Sequence, residues 1–175
     1  MNLIRKEYYN NHKLMSKEWL KNGQHYKKRG ASIIEYHPNG KIKAKYWYKN
    51  NKFHRKNGPA VIFYNEYGFK EEERWYKQSS FYNSDGPAVI KYHENGNKSF
   101  EAWMTNGRFH KVSGPAVIYY HKNGNKKTEK WIYNNKYHNL KGPAVIEYDE
   151  NQNIINEQYY LDGRKVDELK VLVNI

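Results

Sequence analysis

Short apolar stretches alternate with polar, Asn- and Gly-rich turns along the chain, and the alternation itself recurs. Between Gly114 and Lys141, Ala116-Val-Ile-Tyr-Tyr120 is β-branched and aromatic, His121-Lys-Asn-Gly124 has turn composition, and Lys127 to Tyr133 returns to strand composition. Asn134-Asn135, replaced by Asn106-Gly107 one copy earlier, marks a second turn, because Asn and Gly tolerate the positive φ of tight hairpins. A third segment, Lys136-Tyr137-His138, precedes the next Gly-Pro. Pro115 has no N–H for a ladder, so it belongs at a strand start beside a loop. The pattern predicts two or three short antiparallel strands per unit.

Gly-Pro-Ala-Val begins at Gly58, Gly86, Gly114 and Gly142, always 28 residues apart, and all five tryptophans (Trp19, Trp47, Trp75, Trp103, Trp131) keep the same interval. A period of this size signals a stacked array whose units bury their apolar faces against their neighbours. The frame extends to both ends and predicts one repeat domain over 1–175. Its units are 2–29 (a degenerate cap), 30–57, 58–85, 86–113, 114–141 and 142–169 (a C-terminal cap), with 170–175 as a tail. Tyr159 stands in the last copy where tryptophan is expected.

Successive strand residues point to opposite faces. Ala60, Ile62 and Tyr64 therefore share one side, as do Ala88, Ile90, Tyr92 and Ala116, Ile118, Tyr120, and these sites hardly vary. The expectation is that they form the core. The intervening site holds Glu35, Phe63, Lys91, Tyr119 and Glu147, so that side is expected to be surface. Phe63, Lys91, Phe100 and Tyr119 form a candidate variable interaction surface, with Ala44, Glu72 and Thr128 in matching sites. The periodic tyrosines are assigned to the core face, and each tryptophan to packing between adjacent hairpins.

Tyr-x-x-Asn-Gly followed by x-Trp-x-x-Asn-Gly/Asn, as in Tyr92 to Gly96 and Trp103 to Gly107, resembles the MORN repeat. The full unit, with Gly-Pro-Ala-Val-Ile-x-Tyr after Phe53-His54, Phe109-His110 or Tyr137-His138, resembles the variant common in uncharacterised giant-virus proteins. The resemblance covers almost the whole chain. It implies an all-β fold, here an elongated antiparallel β-meander of six 28-residue MORN-like repeats, with one hairpin per repeat and a groove along the sheet. It also implies protein-binding, scaffolding or lipid-associated roles, and it supplies no catalytic residue.

Charge changes the picture at one end. Residues 1–57 carry fifteen Lys and Arg against Glu7, Glu18 and Glu35, a balance of +12, whereas the remainder carries sixteen basic and fifteen acidic groups. Such a field attracts nucleic acid, acidic protein tails or anionic headgroups, although lysine also keeps sheet edges soluble. Lys41, Lys43 and Lys45 alternate and are expected to project from one face, with Lys27, Lys28, Arg29, Arg55 and Lys56 in loops at the same period. These eight residues are the candidate polyanion-binding set.

The chain has no cysteine, which excludes disulfides and thiolate chemistry. No stretch approaches the length of a membrane span and no signal-like apolar core is present, so the expected location is cytoplasmic, in host cytoplasm or virion if viral. His54, His110 and His138 precede Gly-Pro in equivalent sites, where a ring nitrogen could hold the loop backbone. His12, His25, His37, His93 and His121 have no ligand spacing, and the members of Glu71-Glu72-Glu73 alternate faces. The polar groups repeat without converging, so no catalytic site, metal site or cofactor is predicted. The expected function is non-enzymatic macromolecular interaction or scaffolding, with a protein as first partner. Electrostatic RNA or DNA binding by the first two repeats is the alternative, and anionic membrane surfaces or self-association stand further back.

Overall fold

A computed structural model describes residues 2–168, which divide between Ser80 and Phe81 into two compact units, unit 1 before the division and unit 2 after it. Both are all-β. In each, the longer strands follow one another in chain order as an antiparallel meander. Unit 1 contains Asn2–Tyr8, Leu14–Lys21, Ile33–Tyr36, Ile42–Tyr46, Val61–Tyr64 and Lys70–Arg74. Unit 2 contains Val89–Tyr92, Lys98–Ala102, Val117–Tyr120, Lys126–Lys130, Val145–Tyr148, Ile154–Leu161 and Arg164–Val166.

The strand of each Gly-Pro-Ala-Val unit begins at the valine, one residue after alanine. The second strand is shorter than composition suggests, because the ladder breaks at tryptophan. In the fifth copy Lys126–Lys130 ends before Trp131, and Ile132–Tyr133 then pairs with Lys136–Tyr137 as a separate short hairpin. Tryptophan joins the two sheets through its own backbone. Trp131 N–H donates to Ala144 C=O (2.8 Å), while Trp131 C=O accepts from His138 N–H (3.0 Å). Trp47 and Trp103 make the same pair of bonds.

The short hairpins turn on consecutive left-handed residues, with φ of 52° and 55° at Asn50-Asn51 and of 51° and 75° at Asn106-Gly107, as the Asn-Gly composition predicts. The long hairpins turn differently. The loop after Val117–Tyr120 is closed by His121 N–H to Asn125 C=O (2.8 Å) and Gly124 N–H to His121 C=O (3.0 Å), with positive φ only at Gly124. Each long hairpin also carries a β-bulge: Glu35 pairs with Ala44 and Tyr36 with Ile42, leaving Lys43 unpaired. Met15, Glu71, Ser99, Lys127 and Ile155 are its equivalents.

The face assignment needs correction. Val61, Val89, Val117 and Val145, which share the face of Phe63, Lys91 and Tyr119, are buried. The short hairpins fold over that side. In unit 2 the core is Val89, Ala102, Ala116, Val117 and Ile132, packed by Phe81, Phe100, Met104, Phe109 and Tyr137. The opposite face carries Ile62 and Ile118, each 7% exposed, but it is covered by the stems of charged side chains and by tyrosines. Lys and Glu can do this because their methylenes lie on apolar surface while the charged head reaches water or a partner. Both faces therefore bury apolar area. They are named below the valine face and the isoleucine face.

Consecutive repeats are also stapled through their loops. A ring nitrogen of His37 bonds Tyr64 C=O (2.8 Å), and His93 and His121 bond Tyr120 C=O and Tyr148 C=O (3.0 and 2.9 Å). Asn95 and Asn97 both donate to Lys122 C=O (2.7 and 2.9 Å). At the short-hairpin side, Asn135 Oδ1 accepts from Phe109 N–H (2.7 Å) and its own N–H donates to Phe109 C=O (3.0 Å). These side chains replace water on loop carbonyls and amides that the ladders leave unpaired.

Candidate interaction faces

On the isoleucine face one row runs across the strands. In unit 1 it reads Lys6, Lys17, Ile34, Lys45, Ile62, Glu73, and in unit 2 Ile90, Glu101, Ile118, Glu129, Ile146, Glu157. Isoleucine is constant and the charge between isoleucines changes sign. Glu73, Glu101 and Glu129 are buried at 5–7% exposure, and each carboxylate meets a lysine three residues earlier: Lys70 at 2.8 Å, Lys98 at 2.6 Å and Lys126 at 2.6 Å. Residues i and i+3 of a regular strand point to opposite faces. The bulge between them removes one step of the alternation and brings the pair together. Tyr120 and Tyr148 complete two of these sites by donating their hydroxyls to Glu101 (2.5 Å) and Glu129 (2.7 Å). Burial first, and the carboxylate bond second, push both hydroxyl pKa values well above the usual phenol range.

The first two copies carry a different pair in these sites. Lys17 and Lys45 replace glutamate, and Leu14 and Ile42 replace the compensating lysine. Lys45 Nζ lies 5.3 Å from the Tyr64 ring centre, and Lys17 Nζ 4.9 Å from that of Trp19. Among the described residues neither lysine meets a carboxylate. Unit 1 has eighteen basic against seven acidic residues, +11, and unit 2 has +2 from thirteen and eleven.

The tryptophans are half-buried on this face, and at three of them a cation eight positions later covers the ring. Lys27 Nζ lies 3.5 Å from the centre of the Trp19 ring, Arg55 Cζ 4.1 Å from Trp47 and Lys111 Nζ 3.7 Å from Trp103. Desolvation, and then the charge of Lys17, lowers the Lys27 pKa. These cation–π contacts were not anticipated from sequence, although the eight-residue offset from tryptophan was there to be seen.

The candidate basic set therefore disperses. Lys27 and Arg55 lie on rings, and Arg55 also donates to Pro59 C=O (3.2 Å). Lys28, Arg29 and Lys56 are exposed in loops. Lys41, Lys43 and Lys45 do not form one stripe: Lys41 lies before the strand and donates to Tyr67 C=O (3.0 Å), Lys43 is the bulged residue, and Lys45 belongs to the isoleucine-face row. Lys6 and Lys17, absent from the candidate set, share that row with Lys45.

The candidate variable surface is one row of the valine face. In unit 1, Ser16, Glu35, Ala44, Phe63 and Glu72 are successive partners, with Phe63 half-buried 6.0 Å from Tyr46 and under Arg74 at 4.9 Å. In unit 2 the partners are Lys91, Phe100, Tyr119, Thr128, Glu147 and Asn156. Lys91 is exposed, Tyr119 is 38% exposed, and Phe100 packs edge-on against Tyr119 at 5.1 Å.

Of the histidines before Gly-Pro, His138 holds loop backbone through its ring as expected, whereas His54 and His110 do not. Their backbone N–H groups make the bond to tryptophan, while the ring Nδ1 atoms of His54 and His110 are buried without a partner. His138 Nδ1 accepts from Asp162 N–H (3.1 Å). Of the Glu71–Glu73 run, Glu71 is bulged, Glu72 pairs with Arg74 on the valine face (2.8 Å) and Glu73 is buried on the other. Among the described residues no three His, Asp or Glu side chains come together as a metal site, and no helix is long and apolar enough to cross a membrane. No protein-family model matches the chain, and no curated protein matches its sequence.

Proposed function

We propose that the chain is a non-catalytic, MORN-like repeat module for macromolecular interaction, and that unit 1 docks the phosphate backbone of RNA or DNA on its isoleucine face. The observation that carries this reading is the change from Glu to Lys in one row. In later copies the row's charge is neutralised within the chain by Lys70, Lys98 and Lys126. In unit 1, Lys17 and Lys45 have lost that arrangement together with the lysine that served it, and Lys6 adds a third positive charge. Uncompensated cations beside aromatic rings suit a polyanion.

The test is fluorescence anisotropy of labelled single- and double-stranded RNA and DNA, with wild type beside Lys17→Glu/Lys45→Glu, across salt. Binding should weaken steeply with salt, and the double reversal should weaken it at least tenfold at about 0.15 M salt, where the screening length is about 8 Å. Binding that ignores the reversal, or transfers wholly to anionic vesicles, overturns this reading.

A second reading, docking of a protein on the valine face of unit 2, is favoured by the exposure of Lys91 and Tyr119 beside Phe100. Tyr119→Ala with Lys91→Glu should then abolish capture of that partner while nucleic-acid binding persists.

A further inference from the structure

A cleft of about 530 Å³ in unit 2 is lined by Lys111, Ser113, Trp131, Tyr133, Asn139 and Lys141, among others. Its counterpart in the first repeat, about 350 Å³, is lined by Trp19, Tyr26 and Lys27. The two differ in what occupies the tryptophan. In the first repeat Lys27 lies on the ring, as Arg55 and Lys111 do on theirs. Asn139, an uncharged residue, holds that position in the fifth copy, and both ends of its amide are engaged by loop backbone. Asn139 Nδ2 donates to Pro143 C=O (2.8 Å), and Oδ1 accepts from Lys141 N–H (3.0 Å). Among the described residues no cation covers Trp131.

The surroundings select the occupant. An indole that lines a cleft and carries no cation attracts either a cation or a second flat π-system. Lys111 and Lys141 both line the cleft and no carboxylate does, so a cationic ligand is repelled and an anionic one attracted. Tyr133, 46% exposed, adds a second aromatic wall. A ligand that is flat at one end and anionic at the other meets all these conditions, and the volume accommodates one such group.

We propose that this cleft binds one unpaired nucleotide, its base stacked on Trp131 and its phosphate beside Lys111 and Lys141. The seat lies in unit 2 and uses none of the unit 1 residues invoked for backbone docking, so the two stand or fall separately.

The experiment titrates the full chain with adenosine monophosphate and with a short single-stranded adenine oligonucleotide, followed by tryptophan fluorescence and calorimetry. The key variant is Asn139→Lys, which restores the lid found on Trp19 and fills the seat without removing a core residue. It should weaken both ligands at least tenfold, as loss of one base stack does, whereas Lys17→Glu/Lys45→Glu should leave mononucleotide binding unchanged. Trp131→Phe, with a smaller ring, should weaken binding less than Asn139→Lys. Ribose 5-phosphate binding as tightly as the mononucleotide would overturn the proposal, since stacking would then contribute nothing. Unchanged mononucleotide affinity in Asn139→Lys, no binding at all, or preference for an arginine ester would overturn it equally.

Discussion

At the residue scale, the isoleucine face is built by polar side chains that act as covers. Lys27, Arg55 and Lys111 shield indoles, and the Tyr120 and Tyr148 hydroxyls close over buried carboxylates. This last arrangement sets a pH dependence. The Tyr120 and Tyr148 pKa values are raised in the folded chain, by burial first and by the carboxylate bond next, and Tyr46 is raised by burial and by Glu35. In the unfolded chain these phenols titrate near 10. Above that pH the unfolded state releases protons that the folded state keeps, so stability falls as pH rises. The tyrosine contribution is complete below the unfolded pKa and is lost as pH climbs through the raised folded values. Urea midpoints measured from about pH 8 to about pH 11 should be level at first and then decline from near the unfolded pKa. Tyr120→Phe should decline less steeply, and at neutral pH should be less stable, because Glu101 loses a donor. An equal slope in wild type and variant would show that Tyr120 ionises as freely folded as unfolded.

At the element scale, the bulge decides which side chains meet, and it is also what sequence periodicity could not see. The 28-residue frame, the strand-forming segments and the positive-φ turns were legible because β-branched residues, Asn-Gly and proline each carry a local conformational preference. The bulged site holds Met15, Lys43, Glu71, Ser99, Lys127 and Ile155, a set with no shared chemistry. Counting alternate residues across it therefore places Lys41, Lys43 and Lys45 on one face when they do not share one. Alternation likewise separated valine from isoleucine correctly, yet both are apolar, and only the docking of Met104, Phe109 and Ile132 reveals which face holds the packed core. The role of His37, His93 and His121 leaves no local sequence signal, because their target is a backbone carbonyl 27 residues away. The bulge also places the pairs at 42/45 and 98/101 in equivalent positions, which predicts that they can be exchanged. Glu101→Lys alone should cost about 2 kcal/mol by placing a second ammonium beside Lys98 in a buried site. Adding Lys98→Ile reproduces the Ile42/Lys45 pair and sets the new lysine over Tyr120, as Lys45 lies over Tyr64. The double variant should recover most of the loss, giving a coupling of about 1 kcal/mol or more in a urea-denaturation cycle. Additive effects would mean that each pair is fitted to its own repeat.

At the scale of the whole molecule, the two units have nearly equal architecture and unequal electrostatics, +11 against +2. Identical strand pairing does not require that difference. The lysine-rich row is moreover a cost to folding, since Lys6, Lys17 and Lys45 lie on one face of unit 1, and Lys17 and Lys27 share the Trp19 ring. Desolvation and Lys17 both disfavour the charged form of Lys27. Mutual repulsion of this kind is strongest when the screening length is long, about 30 Å at 0.01 M salt against about 8 Å at 0.15 M. Thermal stability should therefore rise as salt is raised through this range. Lys17→Gln removes the repulsion on Lys27 while keeping an aliphatic stem opposite Ile34, so it should raise the low-salt melting temperature by a few degrees and flatten the salt dependence. The same substitution should weaken RNA binding if unit 1 is the docking surface. Opposite movement of the two readouts in one variant would indicate that positive charge is maintained in this row against the interest of stability. Parallel movement, or none, would assign the lysines to solubility. Melting curves at two salt concentrations beside an anisotropy titration of the same protein separate these outcomes, because the first measures repulsion within the sheet and the second attraction to a polyanion.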